Sequence, residues 1–418
     1  MSYKLFCFFN NITVFGIFKL GDPLWAINKL YQHTNLQSLL CVAKVFYASI
    51  DEAMCRFFGR LFGKAFMPNK RDRYGQKWFA ICCGVTGFMI SYIIYIGSST
   101  PLSIDPTGYG FTTDVCLDLV QRLEDTGAID STKHWHQTTV FFDNYYSSVY
   151  LFGKLGAKGI GAVGTVQNRR VGIPGFAWDM IGKDRGSLSY VVSNGLGVYV
   201  WADNKIVGVL TNVALGGQLD SAKRWLKGSC PAEAEKCGTI VRALASGKDW
   251  TEAWITRPVA VAYYNSGMGG VDLNDFIRKL LGIPRKHQSW RQTIFEHHLG
   301  LWVANSWILW TTFQAMSGSD DCMTSSEAML MIGTALCMEA MKREKRAREK
   351  NRESKKKLVG KWTDRKDCTP TFGQVAELKE SRAQCHKCGE HQVRRTVRYG
   401  CNLCKNIFCW TCISNHSV

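Results

Sequence analysis

The sequence predicts an α/β fold that carries a β-rich insertion, a helical region and a zinc-binding, cysteine-rich C-terminal domain. Three observations predict it. From Asp51 to about Val166 apolar strand-like runs alternate with helical ones, the pattern of a sheet packed by helices. From Arg169 to Arg257 the composition turns to Gly, Ser, Trp and β-branched residues, which favour short strands. Three C-x2-C pairs then crowd the last 34 residues. With 46% hydrophobic residues in 418, the chain has apolar material for one large or two modest cores, which excludes wholesale disorder.

Taken in order, the first element is a helical stretch around Pro23 to Tyr47. Ala80 to Gly97 is eighteen residues without a charge, the length of a membrane span. Its content points elsewhere: Val85-Thr86-Gly87 reads as a turn, and Phe88 to Ile96 is β-branched and aromatic. Two buried strands joined by a tight turn fit this better than a helix holding Gly84 and Gly87, so no membrane partner is expected. Thr138 to Phe142 reads as a short strand closed by Asp143-Asn144, Ser147 to Leu155 as a helix stopped by Gly156, and Gly159 to Val166 as a strand. In the insertion, Ser187 to Val192, Gly197 to Trp201 and Lys205 to Leu210 read as strands, with Asp203-Asn204 as a turn.

Helices return after Gly269-Gly270. Trp290 to Met316 predicts a core helix whose tryptophans are packing residues rather than a cofactor box. Thr324-Ser325-Ser326-Glu327 has the spacing of a capping box. The helix it opens runs into Lys342 to Lys357, which holds ten basic and three acidic residues, 10 − 3 = +7. Such a run serves either as a solvated linker or as a nuclear import signal or DNA contact.

The whole-chain charge is 52 − 34 = +18. An excess of that size favours a polyanionic partner, nucleic acid first and an anionic membrane surface second. Asn10-Asn11 interrupts the apolar start of the chain and no small-residue cleavage site follows, so export is not expected and the 17 cysteines are expected to stay reduced.

Clustered reduced cysteines are metal ligands. The pairs are Cys385/Cys388, Cys401/Cys404 and Cys409/Cys412, followed by His416, with His391 nearby. A C-x2-C turn lets two thiolates grip one Zn²⁺, and four soft ligands close a structural site. Two schemes fit. In a cross-braced module one zinc takes Cys385, Cys388, Cys409 and Cys412, and the second takes Cys401, Cys404, His416 and His391. In a single ribbon one zinc takes Cys385, Cys388, Cys401 and Cys404. The segment's +4 excess, which includes Arg394 and Arg395, suits phosphate contact. A protein-binding finger has the same appearance.

Three acidic motifs sit at element boundaries: Ser49-Ile50-Asp51-Glu52, Phe142-Asp143-Asn144, and Gly270-Val271-Asp272-Leu273-Asn274-Asp275. Each alone reads as an ordinary turn or helix cap. Together with their surroundings they resemble the piggyBac family of DDE/D transposases and their domesticated, transposable element-derived relatives. The resemblance rests on Ser49 to Met54 with Phe58-Gly59-Arg60, Met67-Pro68-Asn69-Lys70 with Tyr74 to Lys77, and Asp143 to Ser148. It continues in Gly164 to Arg169 with Pro174, Trp201 to Lys205, Tyr264-Asn265 with Met268 to Asp275, Arg285-Lys286 and Trp290. It covers roughly Asp22 to Val418.

The resemblance implies an RNase H-like core, residues 48–168 and 257–276, split by the insertion at 169–256. Residues 277–340 would be a helical dimerisation and DNA-binding region, 341–382 a basic linker and 383–418 the zinc domain. Only fifty residues precede Asp51, so 1–47 reads as a truncated remnant of the family's N-terminal region. Asp51, Asp143, Asp272 and Asp275 would be catalytic, holding two Mg²⁺ or Mn²⁺ ions. One or two structural Zn²⁺ would sit in the tail. Arg60, Lys70, Lys77, Arg169, Arg285, Lys286 and Arg291 would contact phosphate, as would the tail's Arg394 and Arg395. The implied partner is double-stranded DNA, joined at TTAA by a nuclear protein acting as a possible homodimer, with no small-molecule substrate. The alternative is a non-catalytic DNA- or chromatin-binding descendant that keeps the fold and the zinc module.

Overall fold

A computed structural model describes residues 24–353 apart from 25, 61–62, 69–72, 130–136, 180, 182–183, 228–239, 242–249, 282–288, 319–323 and scattered positions from 325 on; it also describes 375–377, 399–401 and 407–408. It divides into two units, Ser2–Met331 and Ile332–Val418.

Among the described residues the larger unit opens with helix α1, Asn28–Leu40, shorter than the stretch read as helical, which passes through a connecting segment before strand begins at Tyr47. Strands β1 (Tyr47–Arg56), β2 (Lys64–Phe66), β3 (Tyr74–Cys83) and β4 (Met89–Ile94) follow. Then come α2 (Phe111–Asp125), β5 (Thr139–Phe142), α3 (Val149–Ala157), β6 (Gly161–Val166) and the short α4 (Phe176–Asp179). The uncharged stretch is the hairpin its composition predicts, β3 turning through Gly84–Thr86 into β4. Among the described residues no helix is long and apolar enough to cross a membrane.

The insertion contributes to two sheets. Strands β7 (Leu188–Ser193), β8 (Leu196–Ala202) and β9 (Ile206–Thr211) extend the main sheet, whose order is β2-β3-β1-β5-β6-β9-β8-β7 with β4 on β3. Strands β10 (Leu219–Lys227), β11 (Ile240–Val241) and β12 (Trp250–Pro258) form a second sheet. Only β1-β5-β6 run parallel at the centre of the main sheet, and helices cover both faces there, as parallel strands require. Chain order then gives α5 (Val259–Gly267), α6 (Gly270–Leu281) and α7 (Trp290–Ser317). Beyond α7 the capping box is formed: Glu327 N–H donates to Thr324 Oγ1 at 3.3 Å, and Thr324 N–H donates to Glu327 Oε2 at 2.8 Å.

Strand alternation divides the core. On one face Ile50, Phe79, Ile81, Val140 and Phe142 pack with Val115 and Leu119 of α2 and Leu151 and Leu155 of α3. On the other, Ala53, Cys55, Trp78, Ala80 and Cys82 pack with Val271 of α6 and Ile294 and Leu301 of α7. Farther along that second face, Phe141 and Val163 meet Ala260, Val261 and Tyr264 of α5. The tryptophan-rich helix thus packs along Ile294, Leu301 and Ile308, whereas Leu299 and Trp310, read from the sequence as core, are exposed.

In the smaller unit, β13 (Val375–Glu377), β14 (Tyr399–Cys401) and β15 (Ile407–Phe408) make an antiparallel sheet. Cys401 pairs with Val375 in its backbone register. The other zinc-ligand candidates, Cys385, Cys388, His391, Cys404, Cys409, Cys412 and His416, lie outside the described residues, as do Arg394 and Arg395.

Candidate catalytic centre

The site begins with register. In the parallel pair β1–β5 the last bonded partners are Ile50 and Phe142, so the next residues, Asp51 and Asp143, come side by side. In β5–β6 the last partners are Phe142 and Gly164, which brings Thr165 beside Asp143. Asp51 and Asp143 therefore share a row across the parallel strands, on the same face as Ser49 and Phe141. That is the face covered by α5 and α6.

Glycine brings the helices down onto this row. A Cβ on Gly267 would strike the Phe141 ring, and one on Gly270 would lie 2.5 Å from Ser49 Oγ and from the Cys83 carbonyl oxygen. Asn274, fully buried, fixes α6 further: its amide donates to the Gly87 carbonyl at 2.9 Å and to Asn305 Oδ1 at 3.3 Å. Asp272 thus sits in the first turn of a helix clamped to the β3–β4 turn.

Tyr264 reports on the gathering. Burial pushes its phenol up to about 12, and the negative charges of Asp143, Asp51 and Asp272 add to the effect. The charges of all three aspartates act on this one phenol, although they span 221 residues of sequence (272 − 51). Asp275 stands apart. One turn along α6, it is ion-paired with Arg278, and its charge acts on the buried Cys55 and Cys82 thiols.

The carboxylates are held individually. Asp143 Oδ1 accepts from the Asn144 N–H at 2.6 Å and from Thr165 Oγ1 at 3.0 Å. Asp51 Oδ1 accepts from the Glu52 N–H at 2.7 Å. Both of the Asp143 bonds fall on Oδ1, so Oδ2 would be the oxygen offered to a cation. The donors are hard oxygens, which fit Mg²⁺ or Mn²⁺. Among the described residues no three His, Cys, Asp or Glu side chains are drawn close enough to cage an ion on their own; waters and substrate oxygens complete such sites for these metals.

Glu52 points to the opposite face. There Lys77 Nζ donates to its Oε1 at 3.1 Å while lying 4.7 Å from the centre of the Tyr145 ring. Burial opposes ionisation of Glu52, but its hydrogen bond with Asp51 and the Lys77 charge outweigh that and hold its carboxyl below the usual range. Lys77 is thus committed to a carboxylate. Arg60 and Arg169 are exposed and Arg291 is half-buried, while Lys70, Arg285 and Lys286 lie outside the described residues.

Sequence reasoning assigned no role to Thr165, Tyr264, Asn274 or Glu52. Each lies within a quoted motif, but neither a hydroxyl opposite an aspartate nor an amide clamp has a spacing signature. Arg170, which donates to the Asn144 carbonyl, was missed for the same reason.

A transposase family described as Transposase IS4 matches residues 18–307, and the chain belongs to it, as a piggyBac-type transposase or transposable element-derived protein. It is similar to the human piggyBac transposable element-derived protein 3, 26% identical over 298 residues, 70% of this chain and 45% of that protein. The human piggyBac transposable element-derived protein 2 is 23% identical over 269 residues, 63% of this chain and 40% of that one. The chain thus spans less than half the length of these relatives. Its fold is similar to the piggyBac transposase in a cryo-EM synaptic complex with hairpin DNA, with a TM-score of 0.58, 19% identity, and coverage of 93% of this chain and 72% of that one.

Proposed function

We propose that this chain is a metal-dependent DNA transposase, or a descendant retaining its chemistry, that cleaves and joins DNA strands. The observation that supports the reading is the β1–β5 register, which brings Asp51 and Asp143 side by side, with the charge of Asp272 acting on the same Tyr264 phenol as theirs. Neither packing nor capping needs Asp51 and Asp143 side by side on adjacent strands, and two like charges so placed favour a cation between them. The relatives' names and the hairpin-DNA complex of the structural neighbour support the same reading.

Asp51, Asp143 and Asp272 would hold two Mg²⁺ or Mn²⁺ ions, with Asp275 as an outer residue steadied by Arg278. Bound ions of this kind supply the charge that favours the attacking oxygen and eases departure of the leaving one. The chain's own part is placement: the β1–β5 register aligns two carboxylates, Thr165 fixes the rotamer of one, and α6 brings the third. Water would first cut the strand to leave a 3′-hydroxyl, which attacks the opposite strand, closing a hairpin and releasing the flanking strand's 3′-hydroxyl; a second water would open the hairpin, and the regenerated 3′-hydroxyl would then attack a TTAA target. The +18 charge and the zinc module would bind DNA, the run Lys342 to Lys357 would direct the protein to the nucleus, and a homodimer would pair two DNA ends.

The test is strand nicking of a duplex carrying the element's terminal sequence, with Mn²⁺ or Mg²⁺. The parent chain should nick, and Asp51→Asn, Asp143→Asn and Asp272→Asn should each lose nicking while still binding the duplex. A chain that binds but never cuts, even with an N-terminal extension taken from a longer relative, overturns the catalytic reading.

A further inference from the structure

Between Ala53 and Ile104 the chain carries seven Lys or Arg residues and one acid, Asp72. Within that basic stretch three large rings stand in solvent: Phe58 is 64% exposed, Phe66 54% and Tyr74 41%. They form one cluster, with ring centres 4.8 Å apart for Phe66–Tyr74 and 6.3 Å for Phe58–Tyr74. Two cations lie on it: the Arg56 guanidinium is 4.9 Å from the Phe58 ring centre and Lys64 Nζ is 5.6 Å from that of Tyr74. Register fixes its direction. Phe66 pairs with Tyr74, and Tyr74 is six residues along β3 from Ala80, the partner of Asp51. An even spacing keeps Tyr74 on the face that bears Asp51, about 20 Å away along the strand.

The geometry points to a stacking platform for unpaired DNA bases, built from Phe58, Phe66 and Tyr74 with Arg56 and Lys64 beside them; this rests on the DNA reading above. Exposed contiguous aromatic surface marks a binding site rather than ordinary solvated surface. The rings offer flat π-faces, which stack on bases irrespective of sequence. An intact duplex hides its base faces and shows only edges and phosphates, so the fit is to a strand whose bases have left the helix. The cations argue against an apolar protein occupant, which would strip their water without supplying counter-charge; a strand supplies a phosphate for every base.

The test uses the full chain and three fluorescent probes of one length and sequence: a single strand, a duplex, and a duplex with a central unpaired loop. Phe66→Ala and Tyr74→Ala should each weaken single-strand and loop binding about tenfold, with duplex affinity within about twofold. Phe66→Tyr and Tyr74→Trp should keep parental affinity, which separates lost stacking from lost folding. Equal weakening on all three probes, or none, overturns the platform while leaving duplex binding and the catalytic reading standing. A parent chain that binds none of the probes overturns both. A change of sedimentation coefficient in the alanine variants without DNA assigns the rings to a contact between copies and also overturns the platform.

Discussion

Asp275 and Arg278, one turn apart on α6, form an ion pair in which both side chains are largely shielded from water. Arg278 also meets the half-buried His297, so the pair ties α6 to α7 beneath the strand that carries Asp51. On the reading proposed above, the two aspartates of α6 would do different work. Asp272→Asn should abolish nicking with little change in urea midpoint. Asp275→Asn should leave Arg278 buried without its counter-charge, at a cost of about 3 kcal/mol, while nicking survives at a reduced rate below the unfolding temperature. Equal catalytic loss with unchanged stability would contradict this division.

Thr165 acts through Asp143. Replacing its hydroxyl by a methyl, Thr165→Val, leaves Oδ1 with the Asn144 amide alone and lets the carboxylate turn. The Mn²⁺ concentration for half-maximal nicking should rise about tenfold, and Mn²⁺ binding followed by calorimetry without DNA should weaken in parallel. Thr165→Ser keeps the donor and should restore both.

His298 should make the fold acid-sensitive. Its Nδ1–H donates to the Ile294 carbonyl at 2.7 Å, so Nε2 accepts from the Tyr92 hydroxyl at 2.6 Å, an arrangement open only to the neutral ring. Burial lowers its pKa to about 4, against 6.5 unperturbed. Between those values the unfolded chain binds the proton and the folded chain does not, so stability is full above about 6.5 and falls as pH drops toward 4. This one residue accounts for about 3 kcal/mol across that window. Urea midpoints measured from pH 7.5 to 4.5 should decline accordingly, and His298→Gln should flatten the slope whatever it does to the midpoint at pH 7.5. His297, pushed down by burial and by Arg278, adds to the decline in both chains.

The tail predicts bound metal. Elemental analysis of the purified chain should find one or two zinc ions. Cys401→Ser should lower a content of two to one in the cross-braced scheme and abolish zinc binding in the ribbon. No zinc in the parent chain would remove the module.

What the sequence disclosed follows from what is local. The β3–β4 hairpin, the β7–β9 strands, α7 and the capping box at Thr324 each leave a pattern of alternation, turn residues or spacing that neighbours alone determine. The aspartates were legible as acids at element ends, and their company was legible as a resemblance. The partners of those acids were not: Thr165 reaches Asp143 because β6 lies beside β5, and Asn274 reaches Gly87 across 187 residues. The continuity of β7–β9 with the main sheet was equally hidden, since β9 joins β6 by pairing rather than by adjacency in the chain.

The shared row of Asp51 and Asp143 gives the gene an unusual fragility. Along a strand the side chains have parity: the odd-numbered residues of β1 around Asp51 face α6 and the even-numbered ones face α2. Losing or gaining one codon before Asp51 within β1 would leave the strand apolar and paired but would turn Asp51 toward Phe79 and offer Ile50 or Glu52 in its place. Point changes at the site can revert one at a time, whereas such a slip within the strand cannot be absorbed by any neighbouring residue. Copies that have drifted should therefore betray lost activity by any length change within β1 or β5, a record readable from where their gaps fall.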